Sequence, residues 1–93
     1  MTIDEGQLDE VLRALSHPQR RQFVQACMAR EHAAGELAER SHLALASVSE
    51  HLKVLRKSGL LVLDKRGRFW MYRSDAKVLR AALARLEETF DGA

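Results

Sequence analysis

Apolar residues recur at helical spacing in the middle of the chain. Val48, Leu52 and Leu55 are four and three positions apart, which places them on one face of a helix over about residues 44–57. A shorter helix over about residues 34–40 precedes it and turns Leu37 inward, with Leu43 in the turn between the two. A short helix, a tight turn and a longer half-buried helix with small polar residues at its front form a helix-turn-helix pattern.

Two runs of strand-forming residues, 60–65 and 68–73, follow this helix pair and flank Arg66-Gly67. That dipeptide weakly favours a two-residue hairpin turn, which would place Lys65 opposite Arg68. Like charges would then meet at the tip, so an anion such as a DNA phosphate is expected between them. The same turn predicts four further pairs: Asp64 with Phe69, Leu63 with Trp70, Val62 with Met71 and Leu61 with Tyr72.

A further helix is predicted from the Ser16 region to about Glu31. Ser16 and Gln19 fit a capping box, with Pro18 in the first turn. Its buried positions would be Phe23, Val24, Cys27 and Met28. Residues 32–35 would form a short connection to the helix pair.

Two arginines near the start of that helix, Arg20 and Arg21, oppose its dipole. An anion is therefore expected beside them. A DNA phosphate and an acidic neighbour such as Asp4 or Glu5 are equally compatible with the sequence.

Both ends of the chain carry amphipathic helices, predicted over residues 3–15 and 75–90. Their apolar faces hold Leu8, Val11, Leu12 and Leu15 at one end and Val78, Leu79, Ala82, Leu83, Leu86 and Phe90 at the other. Three central helices and a hairpin already supply a core, so these two apolar faces need a further surface to cover them. We predict a twofold dimer through Leu8, Val11, Leu12, Leu79, Leu83, Leu86 and Phe90. The alternative is that both faces fold back on their own core.

Composition and charge narrow the class of protein. The 93 residues suit one domain, 1–93, and a hydrophobic content of 46% argues against disorder. No apolar run is long enough to span a membrane, the first residues of the sequence are acidic, and Cys27 is the single cysteine, so a cytoplasmic protein without a membrane partner is expected.

The positive charge is concentrated in one part of the chain. Residues 51–80 hold 9 basic and 2 acidic residues, whereas residues 1–50 hold 5 basic and 8 acidic residues. That clustering indicates a phosphate-binding face, with a merely solvated basic surface as the alternative.

Four segments in order carry a family resemblance: LSHPQRR (15–21), GELAER (35–40), SVSEHLKVLRKSGLL (47–61) and KRGRFWMYR (65–73). Over roughly residues 11–77 the chain resembles the arsenical-resistance-repressor (ArsR-type) family of bacterial winged-helix regulators. The resemblance implies a mainly α fold with a small β-hairpin, in the order α-α-α-α-β-β-α. It also implies a homodimeric repressor that binds imperfect palindromes in double-stranded DNA and is nucleoid-associated when bound.

The chain departs from the family at its metal motifs. Metal-sensing relatives carry a Cys-x-Cys type motif at the helix-turn-helix or histidine and carboxylate ligands on the last helix. Here residues 36–40 contain no cysteine, and the helix over residues 75–90 contains no histidine. The histidines, His17, His32, His42 and His51, are scattered without ligand spacing. No metal or cofactor is therefore expected. We interpret Cys27 as a small core residue. The alternatives are that thiol oxidation or metal binding releases the repressor from DNA.

A second departure from the family lies at the front of the helix over about residues 44–57, the reading helix of the helix-turn-helix. Ala44-Leu45-Ala46 stands there in place of the usual Ser-Gln and a small residue. The helix over about residues 44–57 is predicted to enter the major groove, and the basic hairpin, or wing, over residues 64–69 to lie on the backbone or in the minor groove. The predicted DNA-binding residues of the helix are Leu45 and Ala46 at its front, Ser47, Ser49, Glu50 and His51 at base edges, and Lys53, Arg56 and Lys57 at phosphates. Those of the wing are Lys65, Arg66 and Arg68. Enzyme motifs such as G-x-S-x-G or a glycine-rich phosphate loop are missing, so no enzyme is expected. The rival interpretation is a winged helix that binds proteins, which a weak salt dependence of DNA binding would indicate.

Overall fold

The computed structural model describes residues 1–92. Its elements are α1 Glu5–Leu15, α2 Pro18–Ala29, β1 His32–Ala33, α3 Ala34–Ser41, α4 Leu45–Ser58, β2 Leu61–Arg66, β3 Phe69–Ser74 and α5 Ala76–Asp91. The predicted winged helix-turn-helix fold is confirmed, and most predicted helix ends are correct to within two residues. No helix within this part of the chain is long and apolar enough to cross a membrane.

The sheet has one strand more than predicted. It is antiparallel with the order β1-β3-β2, and β1 pairs His32 with Tyr72 and Ala33 with Met71. The expectation that residues 32–35 are only a connection was wrong. A two-residue strand is too short to show the alternation that reveals strands in a sequence. Since β1 leads directly into α3, the sheet ties the hairpin to the helix-turn-helix.

The predicted hairpin register was wrong. The observed pairs are Lys65 with Trp70 and Arg66 with Phe69, so the turn consists of Gly67 and Arg68. Gly67 has φ +60°, which only glycine adopts readily, and a glycine at the first turn position suits a two-residue hairpin. Further down, the pairs run Asp64 with Met71, Leu63 with Tyr72, Val62 with Arg73 and Leu61 with Ser74. Lys65 and Arg68 are therefore not opposite each other, and the expected anion between them is not required.

The junction of α1 and α2 also corrects two predictions. His17, not Ser16, is the N-cap of α2: its Nδ1 accepts the N–H of Gln19 at 3.1 Å. Ser16 instead ends α1, and its Oγ donates to the carbonyl of Arg13. The imidazole of His17 thereby caps the start of α2. Histidine is not among the residue types that usually cap helices, so the sequence did not indicate this role.

The acidic neighbours Asp4 and Glu5 do not pair with the two arginines at the start of α2. Arg20 donates to the carbonyls of Ala14 at 2.8 Å and Arg13 at 3.0 Å, and Arg21 donates to that of Leu15 at 2.6 Å. These carbonyls form the negative end of α1, which accounts for two cations at this place. Asp4 is instead the N-cap of α1, and Glu5 pairs with Arg85.

The core lies between α2, the inner face of α4, the sheet and the inner faces of α1 and α5. Phe23, Val24 and Cys27 are buried as predicted, but Met28 is 39% exposed and was placed wrongly. On α5 the most buried positions are Val78, Ala81 and Ala82, which pack against the domain. A second set of apolar residues on α5 therefore remains at the surface.

Candidate nucleic-acid interface

Helix α4 has one face in the core and one face in solvent. Val48, Leu52 and Leu55 are at most 1% exposed. The exposed positions of the helix are Leu45, Ala46, Ser47, Ser49, Glu50, Lys53, Arg56 and Lys57. The turn before it is closed by His42 in the left-handed conformation, at φ 60°, where histidine is more common than most residues other than glycine. The fold thus presents the predicted reading face outward.

The front of α4 carries no side-chain cap. Ala44 is the N-cap residue, and its carbonyl accepts the N–H groups of Ser47 and Val48 at 3.0 and 3.1 Å. Within residues 1–92, the N–H groups of Leu45 and Ala46 have no protein acceptor. An exposed helix N-terminus with unsatisfied N–H groups is suited to bind an anion such as a phosphate.

His51 is engaged inside the protein rather than freely exposed. Its ring centroid lies 4.5 Å from that of His17 and 6.2 Å from that of Phe23. Burial lowers the pKa of His51, and the nearby charges of His17 and Arg20 lower it further. The imidazole therefore packs α4 against α2, which leaves Ser47, Ser49 and Glu50 as the exposed polar or acidic side chains along the front half.

The second half of α4 supplies cations. Lys53, Arg56 and Lys57 border a groove of about 650 Å³ between α4, β2 and the start of α5. Lys57 lies 3.6 Å from a carboxylate oxygen of Glu10. Among the residues described, Lys53 and Arg56 have no such acidic partner, so these two are free to bind an external anion.

The wing presents fewer free cations than its sequence suggests. The ammonium of Lys65 lies 4.3 Å from the centre of the Trp70 ring, a cation–π distance. Arg66 pairs with Glu31 at 2.9 Å and with Asp64 at 3.3 Å. Arg68 lies in the turn, is exposed, and has no ion pair within residues 1–92. Of the three predicted wing residues, Lys65 and Arg68 therefore have no acidic partner in the part of the chain that the structure describes, and Arg68 lies in the turn itself.

Buried hydrogen bonds fix the joint between α4 and the wing. The hydroxyl of Ser58, which is 0% exposed, donates to the carbonyl of Leu55 at 2.7 Å and accepts the N–H of Leu60 at 3.1 Å. Gly59 follows in the left-handed conformation, at φ 88°. The N–H of Asp75 donates to the carbonyl of Leu60 at 2.9 Å, which ties the far end of β3 to the same point. Nothing in the sequence indicates that Ser58 is a buried polar residue.

The buried titratable groups lie behind this face. Burial raises the pKa of the Cys27 thiol to about 11. His32 is 1% exposed, and its Nδ1 lies 3.4 Å from a carboxylate oxygen of Glu36, outside hydrogen-bond geometry. The contact is an ion pair only when His32 is protonated. Within residues 1–92, no three histidine, cysteine, aspartate or glutamate side chains are grouped as metal ligands.

The residues predicted for dimerisation fall into two groups. Leu8 and Val11 are 5% and 1% exposed and are buried in the chain's own core. Leu12, Leu83 and Phe90 are 42%, 55% and 72% exposed. Leu79 and Leu86 are half-buried at the edge of the core. Five of the seven predicted residues therefore keep exposed apolar surface, whereas Leu8 and Val11 are already covered.

Comparisons with known proteins agree with this geometry. A family model described as a helix-turn-helix domain matches residues 15–64. The transcriptional repressor SdpR of Bacillus subtilis (strain 168) is 26% identical over 76 residues, which cover 82% of this chain and 84% of SdpR.

Two solved structures extend the likeness over the whole fold. An ArsR-like transcriptional regulator from Rhodococcus sp. RHA1 has a TM-score of 0.85 and 26% identity, over 94% of this chain and 82% of that one. A homodimeric winged helix-turn-helix DNA-binding domain from Mycobacterium bovis, described as a possible ArsR-family regulator, has a TM-score of 0.74 and 25% identity, over 92% and 80%. The chain belongs to the ArsR-type family of winged helix-turn-helix transcriptional regulators.

Proposed function

We propose that this protein is a homodimeric, sequence-specific DNA-binding transcriptional repressor that needs no metal to bind DNA. The observation that carries the proposal is the exposed face of α4, with free N–H groups at its front and the free cations Lys53 and Arg56 behind them. Such a helix can enter a major groove with its front at the bases and its flanks at the phosphates. Repression is steric, because the bound dimer occupies promoter DNA.

Base contacts are assigned to the front half of α4. Ser47, Ser49 and Glu50 are exposed there and can exchange hydrogen bonds with base edges, while Leu45 and Ala46 offer apolar contact to a thymine methyl group. His51 is a weaker candidate, because its ring is held against His17. Arg68 extends the contact to a phosphate beside the wing.

The dimer in this proposal forms through the exposed apolar residues of α1 and α5. Leu12, Leu83 and Phe90 present more apolar surface than a small monomer needs to expose. The homodimeric Mycobacterium bovis domain supports this assembly. A twofold pair would place its reading helices about one DNA turn, roughly 34–36 Å, apart, as an imperfect palindrome requires. We place its action in the cytoplasm, on nucleoid DNA.

The test of DNA binding is a fluorescence-anisotropy titration against the protein's own upstream DNA and against random DNA, at several salt concentrations with chelator present. We expect tight binding to the upstream DNA that survives the chelator and weakens steeply with salt. Arg68→Ala should weaken binding to both DNAs and reduce the slope of log affinity against log salt by about 0.9, one phosphate contact. Arg13→Ala is the matched control, because Arg13 is an exposed arginine paired with Glu10 outside the reading face.

Equal, weak binding to both DNAs would contradict a sequence-specific repressor and favour a protein-binding winged helix. Loss of binding on adding chelator would contradict metal independence. An unchanged salt slope in Arg68→Ala would remove the wing from the DNA contact.

The test of the dimer is sedimentation of a Leu83→Gln, Phe90→Gln double variant. We expect monomers with much weaker binding to the upstream DNA, because both side chains lie on the exposed apolar surface. Met28→Gln, which changes an exposed apolar residue on α2, should stay dimeric. A double variant that sediments as a dimer would show that the interface lies elsewhere.

A further inference from the structure

Two aromatic side chains stand exposed near the tip of the wing. Phe69 is 70% exposed and Trp70 is 50% exposed, whereas Leu61 and Tyr72 at the base of the same hairpin are 2% and 9% exposed. Both follow the Gly67-Arg68 turn directly. The hairpin thus ends in an apolar surface that the rest of the chain does not cover.

The surroundings of the two rings differ. Trp70 is held by Lys65, whose ammonium lies over its ring at 4.3 Å. Phe69 pairs across the hairpin with Arg66, whose guanidinium is directed to Glu31 and Asp64. No ring–ring or cation–π contact of Phe69 occurs within residues 1–92. Phe69 is therefore the less engaged of the two rings.

The charges around Phe69 favour a nucleic acid as its partner. Arg68 is its neighbour in the turn and has no acidic partner in the part of the chain described. An apolar protein surface closing over this tip would desolvate that guanidinium without compensation. DNA offers a phosphate for the arginine and apolar base faces for the ring, and DNA-binding proteins insert phenylalanine between base steps of the minor groove.

We propose that Phe69 is an apolar wedge that contacts a base step in the minor groove while Arg68 binds an adjacent phosphate. The proposal rests on the DNA-binding function proposed above and adds to it a specificity-determining residue. A wedge partly unstacks the step that it enters, and pyrimidine–purine steps such as TA and CA unstack most easily. The wing therefore selects deformable DNA at positions flanking the half-site that α4 reads.

The experiment is selection of binding sites from random double-stranded DNA by four full-length proteins: wild type, Phe69→Ala, Phe69→Leu and Met28→Ala. We expect wild type to enrich a half-site together with a pyrimidine–purine step at the wing position. Phe69→Ala should enrich the same half-site without that step. Phe69→Leu keeps an apolar wedge and should retain part of the preference, and Met28→Ala should match wild type.

Two measurements on a selected site complete the test. Phe69→Ala should bind it about tenfold more weakly than wild type does, in keeping with the loss of one aromatic–base contact. Replacing the flanking step by a rigid A-tract should weaken wild type and leave Phe69→Ala nearly unchanged. A 2-aminopurine placed at the step should brighten on binding wild type, because it unstacks, and should not brighten with Phe69→Ala.

The outcomes separate this proposal from the function on which it rests. If wild type selects a half-site but Phe69→Ala selects the same flanks with equal affinity, the wedge is refuted and DNA binding stands. If wild type selects no sequence, both proposals fail. Phe69 is mostly exposed, so we expect the thermal unfolding of Phe69→Ala to match that of wild type. That measurement verifies that the variant is folded.

Discussion

Replacing Ser58 by alanine tests whether the joint between α4 and the wing is held by its hydroxyl. The side chain is 0% exposed, and Leu60, whose N–H it accepts at 3.1 Å, is also 0% exposed. Ser58→Ala removes that acceptor without making room for water. The N–H of Leu60 would then be buried without a partner.

The size of the effect follows from that lost acceptor. A buried donor left without a partner costs roughly 1–3 kcal/mol of stability. Alanine's better helix propensity offsets only about half a kcal/mol of this. We therefore expect Ser58→Ala to lower the free energy of unfolding by about 0.5–2.5 kcal/mol. For a domain of this size each kcal/mol lowers Tm by about 4–8 °C.

The assay is urea unfolding followed by circular dichroism, at one protein concentration because a dimer's stability depends on concentration. The matched control is Ser49→Ala, the same change on the exposed face of the same helix. Its free energy of unfolding should stay within about half a kcal/mol of wild type. A Ser58→Ala protein as stable as the Ser49→Ala protein would refute the reasoning.

Three further predictions concern single residues. Gly59→Ala should lower the free energy of unfolding by about 1–2 kcal/mol in the same urea assay, because φ is 88° there and a Cβ would lie 3.0 Å from Nε2 of Gln7. A variant as stable as wild type would contradict this. Burial raises the pKa of Cys27 from 9.0 to about 11, so its alkylation by iodoacetamide near neutral pH should be at least about a hundredfold slower in folded than in urea-unfolded protein. Mass spectrometry measures both rates, and equal rates would contradict burial of the thiol. The pKa of Glu36 lies below its ordinary value of 4.5, because its carboxylate accepts the N–H of Ala33 and, second in effect, a hydrogen bond from Arg30. Ionised Glu36 therefore stabilises the fold above pH 4.5, and this stabilisation is lost as the pH falls through the lowered pKa. Wild type should thus lose more stability than Glu36→Gln between about pH 7 and pH 3, and equal losses would exclude this role.

The parts of the fold that sequence predicted best are its long helices. Val48, Leu52 and Leu55 predicted the buried face of α4, because packing of an amphipathic helix requires that spacing. In the same way, the apolar positions of α5 predicted a helix with more apolar surface than its own core uses. Long periodic segments repeat their signal many times, so a single unusual residue does not hide it.

Features that depend on one residue were predicted less well. The wing register turned on the φ angle of Gly67, which sequence does not report, and a shift of the turn by one residue changed every cross-strand pair. That shift changed the site as well, since it paired Lys65 with Trp70 and placed Arg68 in the turn, away from Lys65. The pairing of Arg66 with Glu31 joins residues that are 35 positions apart, and no local pattern reveals such a contact.

The short strand β1 has a mechanical consequence. It joins β3 to the start of α3, while Ser58 and Leu60 join α4 to β2, so the wing is fastened to both helices of the helix-turn-helix. We therefore expect the wing and the reading helix to move together. In a dimer, a signal that releases DNA would then act by changing the spacing and angle between two such wing-and-helix units. A search for an inducer should accordingly begin at α1 and α5, the helices that would set this distance.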